Sequence, residues 1–455
     1  MEEHIERKAY GIILNSIRRR YRSRTQNWEK AKAVCVIEGL MGSGKTSFVL
    51  DYFRDKEYFY FSFAGLGEDV AELLFAEQTS KKAGIRISGW EDSFNAVSAE
   101  YKFIILDDLE STASYKRFHV LFYNNMITCI KTRPFIVLIT QPTDDIAGLA
   151  DAYDYMSIDY FTLPDVIKLF PELSHYDVLR LCAVSGGIPK LLSDYNQSKP
   201  FNDILCAMLR PTSSFVDFMP ELLSRYFRRP ENYHYILNAI AHGTHSISEI
   251  GKFTGFAYNK CDNYLAGLID CGIVEPDTVI SKRGAEKTAY TLRNNYFKLW
   301  YRYIYMSRTE LQLESAEVIK NIILSIIEKE VHAYYIDKAI AYVNRKLDSY
   351  SLRHSFNIIE KAAYSPQTVN EGDFSFTFDS IVRNDNKAVL VRVLENPQDN
   401  CGRETFESIR RAVSLANIYY DSRVLIFAKH RFSDYAVKEA SADDVVTLVR
   451  IWQLG

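Results

Sequence analysis

The sequence has no pair of cysteines separated by two residues. Its seven cysteines are scattered through 455 residues: Cys35, Cys129, Cys182, Cys206, Cys261, Cys271 and Cys401. A zinc ribbon or a disulfide framework would need closer, paired spacing. We therefore expect free thiols and a reducing compartment.

Long apolar runs and a strong net charge are also missing. No stretch approaches the ~18–20 apolar residues that cross a bilayer, and residues 1–4 are charged rather than apolar, unlike a signal peptide. We therefore expect a soluble, cytoplasmic protein without membrane contact. The formal net charge is only −3, so nucleic-acid contact would require a local basic patch.

The composition is that of a globular protein. Hydrophobic residues make up 47% of the chain and charged residues 25%, as in proteins that build ordinary cores. At 455 residues, the chain exceeds one hydrophobic core and predicts two to four domains.

A glycine-rich motif follows an apolar stretch at residues 33–38. The motif consists of Gly39, Leu40, Met41, Gly42, Ser43, Gly44, Lys45 and Thr46, and a helical pattern starts near Ser47. GxxxxGK[ST] between a strand and a helix predicts a phosphate loop that binds ATP. Backbone N–H groups would surround the phosphates, Lys45 would reach the β- and γ-phosphates, and Thr46 would ligate Mg²⁺.

A second apolar stretch, residues 101–106, ends in two acids. Its position predicts that Asp107 completes the magnesium site and that Asp108 orients or deprotonates the attacking water. Glu110 is a reserve candidate for the second role. Many ATPases have glutamate at this position, and the shorter aspartate predicts slow hydrolysis.

A third apolar strand, residues 135–139, ends at Thr140 and Gln141. Thr140 is a candidate contact for the γ-phosphate, although an ordinary threonine at a strand end explains it equally well. Arg133, just before this strand, is the guess for an arginine finger.

Together these residues resemble the archaeal-type ATPases, a branch of the AAA+/STAND P-loop ATPases. The resemblance extends over nearly the whole chain through a GGxP-like segment at 184–190, a pattern at 229–250 and an aromatic stretch at 296–301. It implies an α/β P-loop NTPase core (1–160), a helical lid (161–222), a winged helix (223–308) and a C-terminal α/β nuclease-like domain (309–455). Residues 5–8 lack the glycine of the family's Gly-Arg-Glu motif.

The resemblance also implies that Pro189 and its neighbours sense the nucleotide. A helix break between two lid helices explains the Gly-Gly-x-Pro segment equally well. Five arginines between residues 18 and 24 indicate a solvated helix face, with a phosphate-binding or partner-docking patch as the alternative.

The winged-helix segment carries nearly balanced charge. Residues 258–269 stand in the recognition position, where Lys260 is offset by Asp262, and strands are expected at 273–275 and 288–292. This is a poor face for DNA phosphates. We therefore favour a switch arm that packs on the ATPase core over direct DNA binding.

The C-terminal domain resembles PD-(D/E)xK nucleases. Asp379 fits the first acid of that site, but Val393 stands where the second acid belongs and Glu395 where the lysine belongs. One carboxylate is insufficient for the metal, so we expect no nuclease activity.

The sequence therefore predicts a slow AAA+/STAND-type ATPase that binds ATP or ADP with Mg²⁺ and couples the nucleotide to a protein or double-stranded DNA partner. The alternatives are a DNA-binding regulator with structural ATP and, less favoured, a metal-dependent nuclease. The oligomeric state is left open.

Overall fold

The computed structural model describes residues 8–23, 34–122, 134–142, 154–195, 197–280, 286–307, 316–349, 358, 361–384, 386–396, 398–417 and 421–454. Among these residues, no helix combines the length and the hydrophobicity needed to cross a membrane. In the same ranges the cysteines form no disulfide.

A five-stranded parallel sheet forms the centre of the N-terminal region. Its strands are β1 (Val34–Glu38), β2 (Phe59–Ser62), β3 (Phe103–Asp107), β4 (Phe135–Thr140) and β5 (Asp154–Ser157). The order across the sheet is β2-β3-β4-β1-β5. Strands β1 and β4 are almost wholly buried, as their continuous apolar sequences predict for a parallel sheet covered on both faces.

Helices cover this sheet on both sides. They are α1 (Lys8–Ser23), α2 (Lys45–Phe53), α3 (Glu68–Ala83), α4 (Gly89–Glu100) and α5 (Lys116–Phe122), with a 3₁₀ turn at Leu109–Ser114. One face packs through an aromatic cluster that includes Phe75, Trp90 and Phe118. The other face packs on α1 and α2 through Leu14, Ile17 and other residues.

Part of the predicted arginine-rich helix face lies within the described chain. Arg18 does not project freely into solvent, because its guanidinium lies 5.5 Å from the ring centre of Tyr52 and donates to Asn15 at 3.5 Å. The side chains of Arg19, Arg20 and Arg22 and residue 24 lie outside the described structure, so the rest of that prediction is untested.

A group of helices follows the sheet. They are α6 (Leu163–Leu169), α7 (His175–Ser185), α8 (Pro189–Ser193), α9 (Phe201–Met208) and α10 (Ser214–Tyr226). Side chains of Ser174 and Ser213 cap α7 and α10 by accepting from backbone N–H groups, as serine does at helix starts. Gly186 ends α7 in the left-handed conformation, where glycine carries no steric penalty.

The next segment contains three helices and a hairpin. They are α11 (Glu231–Ala241), α12 (Ile247–Thr254), α13 (Tyr258–Asp270), β6 (Val274–Ile280) and β7 (Glu286–Leu292), followed by α14 (Asn295–Leu299) and a π-helical turn at Trp300–Ile304. Ser246 and Glu249 form a reciprocal capping box at α12. The hairpin pairs Val274 with Leu292, so both strands are longer than predicted, and residues 281–285 lie outside the described structure.

The C-terminal region combines one long helix with a four-stranded sheet. Its elements are α15 (Ala316–Asp348), the hairpin β8 (Gln367–Glu371) and β9 (Phe374–Phe378), then β10 (Ser380–Arg383), β11 (Lys387–Val393), α16 (Arg403–Ala416), β12 (Asp421–Ala428), α17 (Asp434–Ser441) and β13 (Val446–Arg450). The sheet order is β10-β11-β12-β13, antiparallel only between β10 and β11. Helix α15 is tied to this sheet because Tyr335 Oη donates to Ala428 O at 2.8 Å.

The C-terminal region also contacts the helices of residues 163–226. Arg180 Nε on α7 lies 3.3 Å from a carboxylate oxygen of Glu328 on α15. The rings of Tyr176 and His430 lie 4.9 Å apart, and those of His175 and Trp452 lie 5.1 Å apart. The two regions therefore share an interface built from aromatic rings and one ion pair.

Candidate functional site

The glycine-rich motif forms a loop between β1 and the first turn of α2. Gly42 and Gly44 have φ values of 77° and 80°, and at Gly42 a β-carbon would lie 2.8 Å from Phe218 of α10. Both the conformation and the close approach therefore require glycine at position 42. Helix α2 begins at Lys45, so its unpaired N-terminal N–H groups face the loop, as an anion site requires.

Lys45 lies inside this loop. Its ammonium donates to Gly39 O at 2.5 Å and to Leu40 O at 3.1 Å, and the residue is only 9% exposed. A triphosphate in the loop would replace these two carbonyl acceptors by phosphate oxygens.

Thr46 and Asp107 are in direct contact. The Thr46 hydroxyl donates to Asp107 Oδ2 at 2.7 Å, although the two residues are 61 positions apart. They meet because β1 and β3 run parallel, with β4 between them, and the carboxyl ends of parallel strands share one edge of the sheet. Tyr60 Oη also donates to Asp107 Oδ2, at 3.0 Å.

Asp108 makes polar contacts through both its carboxylate and its backbone N–H. Its carboxylate accepts from Ser62 Oγ at 2.7 Å and from Arg225 Nη1 at 3.0 Å, and its N–H donates to Asp107 Oδ1 at 2.8 Å. Its φ of 55° is left-handed, a conformation that aspartate tolerates better than most residues. With this backbone conformation, the carboxylates of Asp107 and Asp108 contact different partners, Thr46 for the first and Arg225 for the second.

Glu110 faces the end of β4. It accepts from Gln141 Nε2 at 2.6 Å, from the Gln141 N–H at 3.2 Å and from Thr140 Oγ1 at 3.4 Å. Thr140 and Gln141 are each 2% exposed. The reserve acid and the strand-end threonine are thus neighbours.

These side chains surround one cavity of about 850 Å³. The predicted residues that line it are Met41, Gly42, Gly44, Lys45, Thr46, Ser47, Asp107, Asp108, Thr140 and Pro189. Glu110, the reserve acid, also lines it, whereas Gly39, Leu40 and Ser43 are not among its lining residues. Arg133 is outside the described residues, so its suggested role stays untested.

The helices after the sheet close one side of the cavity. The Lys190 N–H donates to Gly42 O at 3.2 Å, and Tyr160 Oη donates to Met41 O at 3.1 Å. Pro189 Cβ lies 3.8 Å from the position of a β-carbon on Gly44. The GGxP segment therefore touches the phosphate loop itself.

Sequence reasoning missed Tyr60, Ser62 and Arg225, which contact Asp107 or Asp108. Tyr60 and Ser62 had a usable signal, since β2 alternates and its other face buries Phe59 and Phe61. Arg225 had none, because its contact with Asp108 joins residues 117 positions apart. Gly11 and Asn15 of α1, the helix that begins at Lys8, also line the cavity.

Burial dominates the electrostatics of the site. It lowers the pKa of Lys45 to about 8, while Glu110, Asp107 and Asp108 raise that pKa and Arg225 lowers it further. Burial raises the pKa values of Asp107 and Glu110, against hydrogen bonds that lower them. Lys45 is therefore the cation of the site that titrates nearest to neutral pH.

We expect ATP affinity to fall as the pH rises from 7 to 9. A bound triphosphate stabilises the charged ammonium, so binding takes up a proton wherever free Lys45 has lost one. With a pKa of about 8 for Lys45, affinity should be level below that pH and about tenfold lower at pH 9. Calorimetry in two buffers of different ionisation enthalpy should detect this proton uptake at pH 9 and none at pH 6.5. Equal affinity and no uptake at pH 9 would contradict the assignment of Lys45.

The residues fit a magnesium ion that arrives with a nucleotide. Mg²⁺ prefers oxygen ligands and is commonly held by one or two carboxylates together with substrate phosphates. The Thr46 hydroxyl and Asp107 carboxylate supply such a pair at the mouth of the loop. In the described ranges no cluster of three or more His, Cys, Asp or Glu side chains could hold a metal ion without such a ligand.

The proposed remnant of a nuclease site lies in the C-terminal sheet. Asp379 Oδ2 accepts from the Val393 N–H at 2.7 Å and from Arg392 Nη1 at 3.4 Å. Val393 is fully buried, and the backbone carbonyl of Glu395 accepts from Lys429 Nζ at 2.7 Å. Asp379, the one acid predicted for this site, therefore already accepts hydrogen bonds from other groups of the protein.

The parallel sheet, the phosphate loop at its carboxyl edge and the helices around it define a mixed α/β P-loop NTPase fold. No protein-family model matches the chain. An uncharacterized protein of Methanocaldococcus jannaschii is 24% identical over 292 residues, which cover 61% of this chain and 65% of that protein. The match thus spans slightly less than two thirds of that relative.

Solved structures of P-loop proteins are similar to this chain. A Walker-type ATPase of Pyrococcus abyssi aligns with a TM-score of 0.48 and 15% identity, over 66% of this chain and 97% of that one. The ORC1 protein of Aeropyrum pernix in complex with DNA aligns with a TM-score of 0.37 and 15% identity, over 68% of this chain and 94% of that one. Since both scores are below 0.5, the fold assignment rests on the chain's own strand order and phosphate loop.

Proposed function

We propose that this protein binds ATP with magnesium and hydrolyses it slowly to ADP and phosphate. The observation that carries this proposal is the 2.7 Å contact between Thr46 and Asp107 in the cavity that also holds Lys45. A hydroxyl, a carboxylate and an ammonium at the end of a phosphate loop match the requirements of a magnesium–triphosphate site.

In the proposed complex, loop N–H groups and Lys45 hold the triphosphate. Thr46 and Asp107 would hold Mg²⁺, which neutralises charge on the phosphates. Asp108 accepts a proton from water as the water oxygen bonds to the γ-phosphorus and the bond to the leaving ADP oxygen breaks. Arg225, 3.0 Å from Asp108, is placed to stabilise the charge on the γ-phosphate.

We further propose that the nucleotide controls the docking of the later segments. Residues 161–222 would act as the lid, 223–308 as a winged helix and 309–455 as a nuclease-like domain without nuclease activity. Supporting contacts reach from the phosphate loop through Phe218 to Tyr296, whose ring centre lies 5.7 Å from that of Phe218. Tyr296 Oη and Trp300 Nε1 in turn donate to backbone carbonyls of α10, at 2.6 and 3.0 Å.

These contacts favour a switch arm over a DNA-reading helix. Lys260 on α13 lies 3.7 Å from the ring centre of Phe256, and its charge is offset by Asp262 on the same helix. A protein partner is therefore our first proposal for what the switch engages, and double-stranded DNA is the second.

Replacing Asp108 by asparagine tests the hydrolytic step. Asparagine tolerates the left-handed backbone that Asp108 adopts, so the variant should fold and bind ATP normally. Loss of a general base typically costs 10²–10⁴-fold, and we expect turnover to fall by roughly 10²-fold. Single-turnover release of phosphate, measured beside ATP affinity, separates the two effects.

The same assay should be run with and without double-stranded DNA. Unchanged turnover in Asp108→Asn would disprove the role of Asp108 as the base that accepts the proton from water, and Glu110 would become the candidate for that role. Stimulation by DNA would favour the DNA-engaging form of the switch, whereas no effect and no gel shift at low salt would remove it.

A further inference from the structure

A second cavity lies where the helices of 163–226, the segment 231–304 and helix α15 meet. Its volume is about 490 Å³, and no residue that lines it also lines the first cavity. The lining residues that matter are Gly186, Arg293, Lys298, Arg302, Asp337 and Lys338. None of the motifs discussed above requires a cavity here.

The charge on this cavity is one-sided. Four lysine and arginine side chains line it, against one carboxylate, Asp337, among the described lining residues. The chain as a whole is slightly acidic, with a net charge of −3, so the concentration of positive charge is local.

Two of the four cations, Arg293 and Arg302, form ion pairs with carboxylates, and the charge of Asp337 acts on the other two, Lys298 and Lys338. Arg293 lies 3.2 Å from Asp159, and Arg302 lies 2.9 Å from Glu330. The ammonium groups of Lys298 and Lys338 make no ion pair or hydrogen bond with any side chain in the described ranges. Lys338 is half-buried and lies 5.0 Å from the ring centre of Tyr334.

Such an arrangement is costly without an anion. Like charges around a partly desolvated cavity repel one another more strongly than in water. Burial lowers the pKa of Lys338, while Cys182 and Asp337 raise it and Arg345 lowers it. Asp337 is therefore the lining carboxylate that offsets the charge of Lys298 and Lys338, and an incoming anion would add to its effect.

We propose that this cavity binds a small phosphate-bearing anion. Lysine ammonium groups and arginine forks are the donors that proteins use for phosphate. The volume falls within the range of small-molecule sites, about 300–1,000 Å³. The walls come from three separate regions of the chain, with Ile240 and Tyr334 buried among them, which favours a compact ligand over the backbone of a nucleic acid.

The cavity adjoins the segment that touches the phosphate loop. Asn294 Nδ2 donates to Gly186 O at 2.8 Å, and a β-carbon on Gly186 would lie 1.7 Å from Asn294 Oδ1. Four residues later the Lys190 N–H donates to Gly42 O. An anion in this cavity would restrict motion between Asn294 and the segment from Gly186 to Lys190. Any effect of the anion on ATP affinity rests on the function proposed above.

Calorimetric titration with inorganic pyrophosphate tests the binding itself. All proteins carry Lys45→Ala and the buffer contains EDTA, so that the phosphate loop does not compete. We expect measurable binding, at least about tenfold weaker in Lys298→Gln/Lys338→Gln and about threefold tighter in Asp337→Asn. The matched control, Lys252→Gln/Lys361→Gln, removes two exposed lysines that do not line the cavity, and it should bind as the parent does.

The outcomes separate this site from the nucleotide site. Absence of pyrophosphate binding, or equal loss in the two double variants, overturns the proposal whatever the ATP affinity of wild type. Tighter binding in Asp337→Asn supports it even if the double variant unfolds, because that change adds no strain. If the double variant loses only a gel shift with double-stranded DNA, the cavity serves a nucleic acid and the proposal is wrong.

Discussion

Replacing Lys45 by alanine is expected to weaken ATP binding by roughly 100-fold or more, since truncating a buried, hydrogen-bonded charge typically costs 2–5 kcal/mol. The ammonium of Lys45 lies within the phosphate loop and the residue is 9% exposed, whereas Lys190, which also lines the cavity, pairs with Glu221. Lys82→Ala is a suitable control, because it removes an exposed lysine that pairs with Glu57. Calorimetry or nucleotide fluorescence gives the affinities. Equal ATP affinity in Lys45→Ala and wild type would disprove the assignment of the site.

Lys45 is expected to favour ATP binding but to destabilise the nucleotide-free protein. Burial lowers the pKa of Lys45 from 10.5 to about 8, which costs the nucleotide-free fold on the order of 3 kcal/mol at neutral pH. The cost is complete below pH 8 and disappears as the pH rises towards 10.5, where the unfolded chain also loses the proton. Lys45→Met, which keeps the volume, should therefore melt at or above the wild-type temperature at pH 7, with a smaller difference at pH 10. A large loss of stability in that variant would contradict this account.

Replacing Arg225 by alanine is expected to slow ATP turnover by roughly 10²-fold, as removal of one preorganised donor does in other enzymes. Arg225 reaches Asp108 from the end of α10, opposite the strand that carries the acid. Because only ATP has a γ-phosphate, affinity for ADP should change little. Single-turnover phosphate release and ADP titration measure the two effects.

The control for this prediction is Arg229→Ala. Arg229 is exposed and does not line the cavity, so turnover should stay within about twofold, the usual small effect of a surface change. Arg225→Lys should recover part of the rate if charge alone matters. Faster turnover in Arg225→Ala would reverse the interpretation, because the ion pair would then restrain Asp108 in the resting protein.

The strands and the core of the candidate site could be predicted from the sequence because its functional residues end an apolar strand or follow one through a recognisable loop. Lys45, Thr46 and Asp107 lie at the carboxyl edge of one parallel sheet, and that edge is where such strands bring their ends together. The roles assigned to these three residues remain predictions, but local sequence patterns were sufficient to predict that the residues lie close together.

The rest of the site depends on contacts between distant elements. Arg225 meets Asp108 only after α10 packs against the sheet domain, and no local spacing predicts that approach. The ends of strands also differ from the prediction by a few residues: the strands expected at 273–275 and 288–292 are Val274–Ile280 and Glu286–Leu292. Hydrophobic patterns specify an element's buried face better than its ends.

Met41 links the packing of the phosphate loop to that of the later regions of the chain. This phosphate-loop residue is 5% exposed and belongs to the same hydrophobic cluster as Leu191, Tyr296, Val331 and Val393, which come from the three later regions of the chain. A fragment ending at residue 160 would leave Met41 without these neighbours. The successive regions are therefore poor candidates for modular exchange, and during evolution a change in one of them demands matching changes in the others.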